Sequence, residues 1–404
     1  MQNRSLFVPY LMVFVDVVGY GLIIPFLPYI VTQYGASAFF ATAMISVYAL
    51  MQIVFAPIVG AASDKWGRRT MVLFSLSVSL FCYLLYVSAF ILFVYPTIIL
   101  TVLFVSRLLA GVGGSTIGVV YAYISDHFSG HEKTKIMVRV SALTNVSLVV
   151  GPLMGGLLGY FPAYVVGLIA ATLCLFAVTM AYFYFFENKT QKMLHREAET
   201  IKKHKKHSFW QQWSGLSKNV KSLLCFSFIE YFCFAQMFSI VALFVAQRYH
   251  FYQMQVGFLI VGVAFIIAFT RGVLMSKLMA RYNWRYLLMG GSALFAVGFF
   301  GNAMVDKLWP AMLFTVLFAL GAAIIGAIIS VMLTHQGDEN QGFIQGADQS
   351  VSAMAFVLGP ISAGLLYDYI SITAPFIVSG ILSLILFCLT IVLKEIPQGD
   401  RGLT

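Results

Sequence analysis

Apolar residues form twelve long runs along this chain, and short polar connections separate most of them. Each run has about the 20 residues that an α-helix needs to cross a bilayer, without the polar–apolar alternation of barrel strands. The pattern predicts an all-α membrane protein with twelve transmembrane helices. The runs cover about residues 6–31, 38–60, 70–90, 96–122, 136–160, 163–186, 219–246, 254–278, 285–304, 309–334, 341–366 and 372–394.

The longest connection divides the runs six and six, and the two halves repeat weakly. Three pairs of positions match at a nearly constant offset: Gly60 and Gly272, Gly111 and Gly321, and Gly151 and Gly359. Transporters are commonly built from two such repeats, with the substrate site where the repeats meet. We therefore predict two pseudo-repeated six-helix bundles, 1–187 and 219–404, joined by a linker at 188–218.

The positive charges predict the orientation of these helices. If the N-terminus is cytoplasmic, all but four of the 25 Lys and Arg residues fall on the cytoplasmic side or at its edge. Because Lys and Arg are retained on that side, we predict that both termini are cytoplasmic. This asymmetry explains the net charge of +10 without a nucleic-acid partner. In the basic linker, Phe209, Trp210 and Trp213 predict a short amphipathic helix that contacts anionic membrane lipid.

Composition excludes several classes of protein. The chain is 60% hydrophobic and 10% charged, which is too little charge for a soluble protein of 404 residues. It has no P-loop motif for ATP, and its five cysteines lie in apolar runs without the spacing of metal ligands. We expect no metal, no cofactor and no enzymatic activity. The driving force must then come from an ion gradient, the substrate gradient or an unseen partner.

Ionisable residues at membrane depth are functional candidates, since burying a charge there is costly. Five qualify: Asp16, Arg107, Glu230, Arg271 and Asp348. Asp16 lies about ten residues into the first run, roughly 15 Å deep, and is our candidate for protonation. Arg107 is the candidate cation beside it, and a static ion pair for helix packing is the alternative.

Other polar residues within the runs leave more than one interpretation open. Glu230 and Arg271 could pair with each other, bind substrate or line a water-filled cavity. Gln52, Asn145 and Gln236 suit either a cavity lining or interhelical hydrogen bonds. We assign all five to a candidate substrate cavity.

Glycines and charges also form local motifs. The connection between the second and third runs carries Gly60, Asp64, Gly67, Arg68 and Arg69, and it is expected on the membrane surface. The glycines at 111, 114 and 118 share one helix face with Arg107. A second stripe of small residues consists of Gly151, Pro152, Gly155 and Gly156. Such stripes let helices approach closely, so we interpret them as packing surfaces that slide or rock.

These motifs resemble those of the major facilitator superfamily, and within it the drug:proton antiporters closest to the tetracycline exporters. The loop motif, Arg107-Leu-Leu-Ala-Gly111 and Gly151-Pro152-Leu-Met-Gly155-Gly156 carry the resemblance. It implies that Asp64 faces the start of the eleventh helix, and that Arg68 or Arg69 pairs with Asp126 to close a cytoplasmic gate. It also implies that Asp16 and Arg107 couple protons, and that Gly151–Gly156 is an antiporter motif.

The resemblance is incomplete where tetracycline exporters carry a histidine in helix 8 and an acid in helix 9, because this chain has neither. We predict a monomeric transporter of a bacterial inner membrane that exports a small amphipathic compound in exchange for protons by alternating access. One alternative is a proton-coupled importer of a metabolite or siderophore. The other is a membrane receptor or enzyme without transport, which no nucleophile triad or metal cluster supports.

Overall fold

A computed structural model describes residues 4–185, 213, 215–335 and 341–392, and regular structure in these ranges is entirely helical. Twelve helices are long and apolar enough to cross a membrane, which confirms the prediction from the apolar runs. The basic run of the linker lies outside the described residues. The helices are α1 (Leu6–Gln33), α2 (Ala38–Trp66), α3 (Arg68–Ile91), α4 (Pro96–His127), α5 (Gly130–Tyr160), α6 (Ala163–Tyr184), α7 (Lys218–Tyr249), α8 (Gln253–Arg281), α9 (Trp284–Met304), α10 (Leu308–Thr334), α11 (Phe343–Tyr369) and α12 (Ala374–Ile391).

Three of the helices are locally irregular. In α1 a 3₁₀ turn at Ile24–Phe26 contains Pro25 and precedes Pro28, and a proline lacks the N–H that an α-helix needs. The regular α-helix of α4 is interrupted at Gly114, between a segment that ends at Gly113 and one that begins at Thr116. In α8, Thr270–Leu274 forms a π turn. A π turn within an α-helix frequently marks a functional position.

The connection between α2 and α3 is shorter than the sequence suggested. Helix α2 continues through Asp64 to Trp66, so Gly67 alone separates it from α3. The backbone φ of Gly67 is 101°, a conformation that residues other than glycine rarely adopt. The predicted loop was therefore wrong, because all four of its charged residues lie on the adjoining turns of two helices.

The chain divides into two compact units, Met1–Lys206 with Phe251–Val261, and His207–His250 with Gly262–Thr404. The start of α8 thus groups with the first unit, unlike the predicted bundle boundaries. Glycine explains the grouping, because a Cβ added to Gly156 of α5 would lie 2.8 Å from the Cα of Gly257 in α8.

Within the first unit, small residues bring backbones together as predicted. A Cβ at Gly151 would lie 2.7 Å from the Cα of Gly21, and one at Gly155 would lie 2.6 Å from the carbonyl oxygen of Leu22. The Cδ atom of Pro152 lies beside Gly21 in the same interface. Helix α5 therefore packs on α1 with almost no side-chain layer between the two backbones.

In the second unit an aromatic core joins α9 and α10. The ring of Phe318 lies 5.2 Å from that of Phe295 and 5.1 Å from that of Phe299, measured between centroids. Gly298 leaves room for this contact, since its added Cβ would lie 2.5 Å from the backbone nitrogen of Phe318.

Candidate functional site

Asp16 lies on α1 among polar groups from α2 and α3. Its carboxylate interacts with the hydroxyl of Ser79 and lies within electrostatic range of Tyr48 and Tyr83. The residue is partly exposed, although the neighbouring Val15 and Val17 are buried. The structure thus gives Asp16 a polar pocket inside an otherwise apolar unit.

Arg107 is buried on α4 with only 1% of its surface exposed. Its Cζ atom lies 5.8 Å from the centroid of the Tyr86 ring, a cation–π distance. Its Nε donates a long hydrogen bond of 3.4 Å to the Ser106 hydroxyl, and within the described chain its Nη2 has no hydrogen-bond partner.

Asp16 and Arg107 form no ion pair among the described residues, which corrects the static pair considered from sequence. A tyrosine cluster, defined as Tyr20, Tyr48, Tyr83 and Tyr86, surrounds the two charges instead. Arg107 lies within electrostatic range of all four tyrosines. The rings of Tyr20 and Tyr48 are 4.8 Å apart between centroids. Tyrosine side chains, and not a direct ion pair, are therefore the near neighbours of these two charges.

Gln52 and Gly114 hold the tyrosine cluster against α4. The Gln52 side-chain amide donates a 2.8 Å hydrogen bond to the carbonyl oxygen of Gly114, so it forms the interhelical bond that was one of its two predicted roles. A Cβ at Gly114 would lie 2.6 Å from the Tyr48 hydroxyl. Gly118, on the same predicted stripe, has nothing within 4 Å of an added Cβ.

Sequence reasoning did not identify the tyrosine cluster as part of the site. Helical spacing carried a signal for it, since Tyr20 lies four residues after Asp16, and Gln52 four after Tyr48. Residues three or four apart share a helix face. A search for tyrosines at this spacing from polar residues within spans would have selected these positions.

The predicted gate residues converge on Arg68 at the junction of α2 and α3. Its Nη2 lies 2.6 Å from Oδ1 of Asp64, and its Nε donates a 2.8 Å hydrogen bond to Oδ2 of Asp126 at the end of α4. Arg68 also donates to the Ser63 hydroxyl, which in turn donates to the carbonyl oxygen of Gly60 at 2.6 Å. One guanidinium therefore ties together the ends of three helices.

Arg69, the other candidate partner of Asp126, points to α6. Its Nη2 donates a 2.5 Å hydrogen bond to the carbonyl oxygen of Tyr182, and its Cζ lies 5.7 Å from that ring. Of the two arginines, Arg68 makes the contact that the resemblance implied.

The Arg68–Asp126 contact is expected to show energetic coupling. Arg68 is 14% exposed and Asp126 34%, so solvent screens the pair only in part. In a double-mutant cycle of Arg68→Gln and Asp126→Asn, we expect a coupling free energy of about 0.5–3 kcal/mol in the stability of the protein in detergent. Lys65→Gln, an exposed cation in the same turn, is the matched control and should not couple to Asp126. Strict additivity of the two substitutions would contradict the contact.

A second group of charges lies in the second unit. Glu230 of α7 is buried, and its Oε1 lies 3.7 Å from Nη2 of Arg271 in the π turn of α8. A Cβ at Gly326 of α10 would lie 3.2 Å from that Oε1 atom and would overlap the guanidinium. Of the three interpretations considered for these residues, the structure shows the pairing.

The remaining predicted cavity residues occupy different environments. Gln236 is fully buried, donates to the Ser362 hydroxyl at 2.6 Å and accepts from Ser379 at 2.6 Å, so it forms interhelical bonds. Asn145 is exposed on α5. Asp348 accepts a 2.5 Å hydrogen bond from Ser227, which joins α11 to α7. Among the described residues no group of three His, Cys, Asp or Glu is placed to hold a metal.

In the described part of the chain, twelve helices are long enough to span a membrane, and Arg107 and Glu230 are buried within them, which is typical of a membrane transporter. The profile of the Major Facilitator Superfamily matches residues 10–336 and 272–403, so the chain belongs to this family. It is a multi-pass transporter of a bacterial inner membrane and not an enzyme.

Several relatives are drug-resistance proteins. The tetracycline resistance protein of class H from Pasteurella multocida is 26% identical over 375 residues, which are 91% of this chain and 90% of the relative. Multidrug resistance protein 2 from Bacillus subtilis is 24% identical and covers 98% of this chain and 96% of its own length.

Solved structures share the fold. A D-xylose-proton symporter superposes with a TM-score of 0.73 at 12% identity, over 95% of each chain. A human organic anion transporter superposes with a TM-score of 0.65 at 17% identity, over 96% of this chain and 99% of its own. At such low identity these matches speak for the fold alone.

Proposed function

We propose that this protein is a proton-coupled antiporter that exports a small amphipathic compound, driven by the proton gradient and without a cofactor. The observation that carries the proposal is Asp16, a carboxyl group held within a spanning helix without a cationic partner among the described residues. A carboxyl group within the membrane is costly when charged, and polar neighbours that stabilise its charged and its neutral form reduce the free-energy difference between the two forms. The drug-resistance relatives support the direction and the substrate class.

The tyrosine cluster gives Asp16 the surroundings that proton exchange requires. Tyrosine hydroxyls donate to an ionised carboxylate and accept from a protonated one. The guanidinium of Arg107 lies within electrostatic range of the same tyrosines. If the proton and the substrate each bind better to a different conformation of the transporter, each one shifts the population toward its own conformation. Alternate binding then exchanges substrate for protons.

The network around Arg68 is proposed to close the predicted cytoplasmic end of the first unit during this cycle. It joins the carboxylates of Asp64 and Asp126 to the guanidinium of Arg68 at the ends of three helices.

Transport in proteoliposomes tests both coupling and direction. Vesicles that contain the purified protein and a trapped pH-sensitive dye receive tetracycline, ethidium or dansylglycine, which represent zwitterionic, cationic and anionic amphipathic probes. We expect at least one probe to cross the membrane in the direction opposite to the protons. Protein-free vesicles should show no such coupled movement. Movement of the probe together with protons would support the importer instead. Absence of proton movement with all three probes would contradict the proposal.

A further inference from the structure

The pair formed by Glu230 and Arg271 is unequal in its exposure. The side chain of Glu230 is 4% exposed, whereas that of Arg271 is 45% exposed. The arginine lies in the π turn at Thr270–Leu274, which alters the direction of its side chain relative to a regular helix. The guanidinium therefore presents one side to a buried acid and the other to open space.

Arg271 makes only long contacts with its neighbours. Its Nη2 lies 3.7 Å from Glu230 Oε1 and donates to the carbonyl oxygen of Ala322 at 3.4 Å. Charge-assisted hydrogen bonds are normally 2.7–2.9 Å long. A guanidinium has five N–H donors that match a carboxylate in a bidentate arrangement, and the contacts of Arg271 in the described chain involve only one of its nitrogens.

The surroundings of the pair favour an exchange of partners. Glu230 lies 3.7 Å from Arg271 of α8 and within electrostatic range of Asp348 from α11. On its own helix, Tyr231 and Cys233 are the titratable groups within electrostatic range of it. The neighbouring part of α10 contributes Ala322 and Gly326, which carry no charge. Protonation of Glu230 removes the negative charge that faces Arg271, so it leaves the guanidinium available to another anion.

We propose that Arg271 binds a carboxylate group of the transported compound and that Glu230 is its internal competitor. The inference rests on the proposed transport function and specifies its substrate class as amphipathic carboxylates. Tyr231 lies within electrostatic range of Arg271, and its ring lies 6.4 Å from that of Phe356, so the two rings offer an apolar surface to the ligand. When the ligand displaces Glu230 from Arg271, Glu230 takes up a proton, so binding and protonation are linked.

Binding of dansylglycine to the protein in lipid nanodiscs tests the proposal without transport. The uncharged dansylglycinamide is the matched ligand. We expect the acid to bind more tightly than the amide, with proton uptake detectable by a pH indicator in weakly buffered solution. Arg271→Gln should weaken binding of the acid roughly tenfold to a hundredfold and leave the amide unaffected, because a hydrogen-bonded ion pair is lost.

Variants of the competitor and of the space around the pair complete the test. Glu230→Gln should bind the acid more tightly than the wild type and without proton uptake. Glu230→Gln combined with Arg271→Gln leaves no buried unpaired charge, and this folded double variant should still fail to prefer the acid. Gly326→Ala should weaken binding of the acid, since its Cβ would overlap the guanidinium, whereas Gly262→Ala in α8 meets nothing within 4 Å and should not.

Equal affinity of wild type and Arg271→Gln for dansylglycine would overturn the inference, as would absence of binding to both the wild type and Glu230→Gln. These outcomes leave the proposed function standing if tetracycline or ethidium still exchanges for protons. Conversely, binding that follows the expected pattern without any proton exchange in proteoliposomes would support the carboxylate site and contradict antiport.

Discussion

Asp16→Asn is expected to abolish proton-driven transport while substrate still binds. Asparagine has nearly the same shape as aspartate and retains hydrogen bonding to Ser79, but it cannot take up or release a proton. If Asp16 carries the coupled proton, probe movement under an imposed pH gradient should fall to the level of protein-free vesicles. The measurement is transport in proteoliposomes with a probe that the wild type exchanges, together with binding of that probe in nanodiscs.

The control for this substitution is Glu132→Gln, which makes the same chemical change at an exposed position near the start of α5. It should transport at the wild-type rate. Asp16→Glu, which restores a carboxyl group on a longer side chain, should recover part of the coupling. Proton-driven transport by Asp16→Asn at the wild-type rate would remove Asp16 from the mechanism.

Gly151→Ala is expected to destabilise the first unit by about 1–3 kcal/mol, the usual cost of overpacking a tight interface. Its new Cβ would lie 2.7 Å from the Cα of Gly21 and 3.0 Å from the carbonyl oxygen of Val18. These atoms belong to the backbone of α1, so no rotation of a side chain relieves the overlap. Helix α1 must move away from α5, and Asp16 lies on the same helix. We therefore expect transport to decrease along with stability.

For Gly118→Ala, in the same unit, we expect stability to increase. Nothing lies within 4 Å of an added Cβ there, and Gly118 is helical, so alanine should stabilise the protein by about 0.5–1 kcal/mol. Thermal unfolding of both variants in the same detergent measures the difference. Equal stability of the two variants would show that the α1–α5 interface tolerates a methyl group.

Hydrophobic pattern predicted the helices well because a bilayer sets their length. The length of the α2–α3 connection was predicted wrongly because hydropathy shows where a helix leaves the apolar layer of the membrane. It does not show where the helix ends. Asp64 is polar and yet helical, and the end of the helix is set by the positive φ of Gly67. Likewise, glycine stripes identified tight interfaces, but their partners, such as Gly257 for Gly156, required the folded chain.

The sequence by itself determined which residues are costly to bury, and therefore which ones are candidates: Asp16, Arg107, Glu230 and Arg271. Their depth follows from position within an apolar run, and this is a local property. Tertiary structure alone decided their neighbours. It separated Asp16 from Arg107 by a tyrosine cluster and joined Glu230 to Arg271, because contacts between helices depend on how each helix is rotated and packed. No local pattern in the chain specifies that rotation.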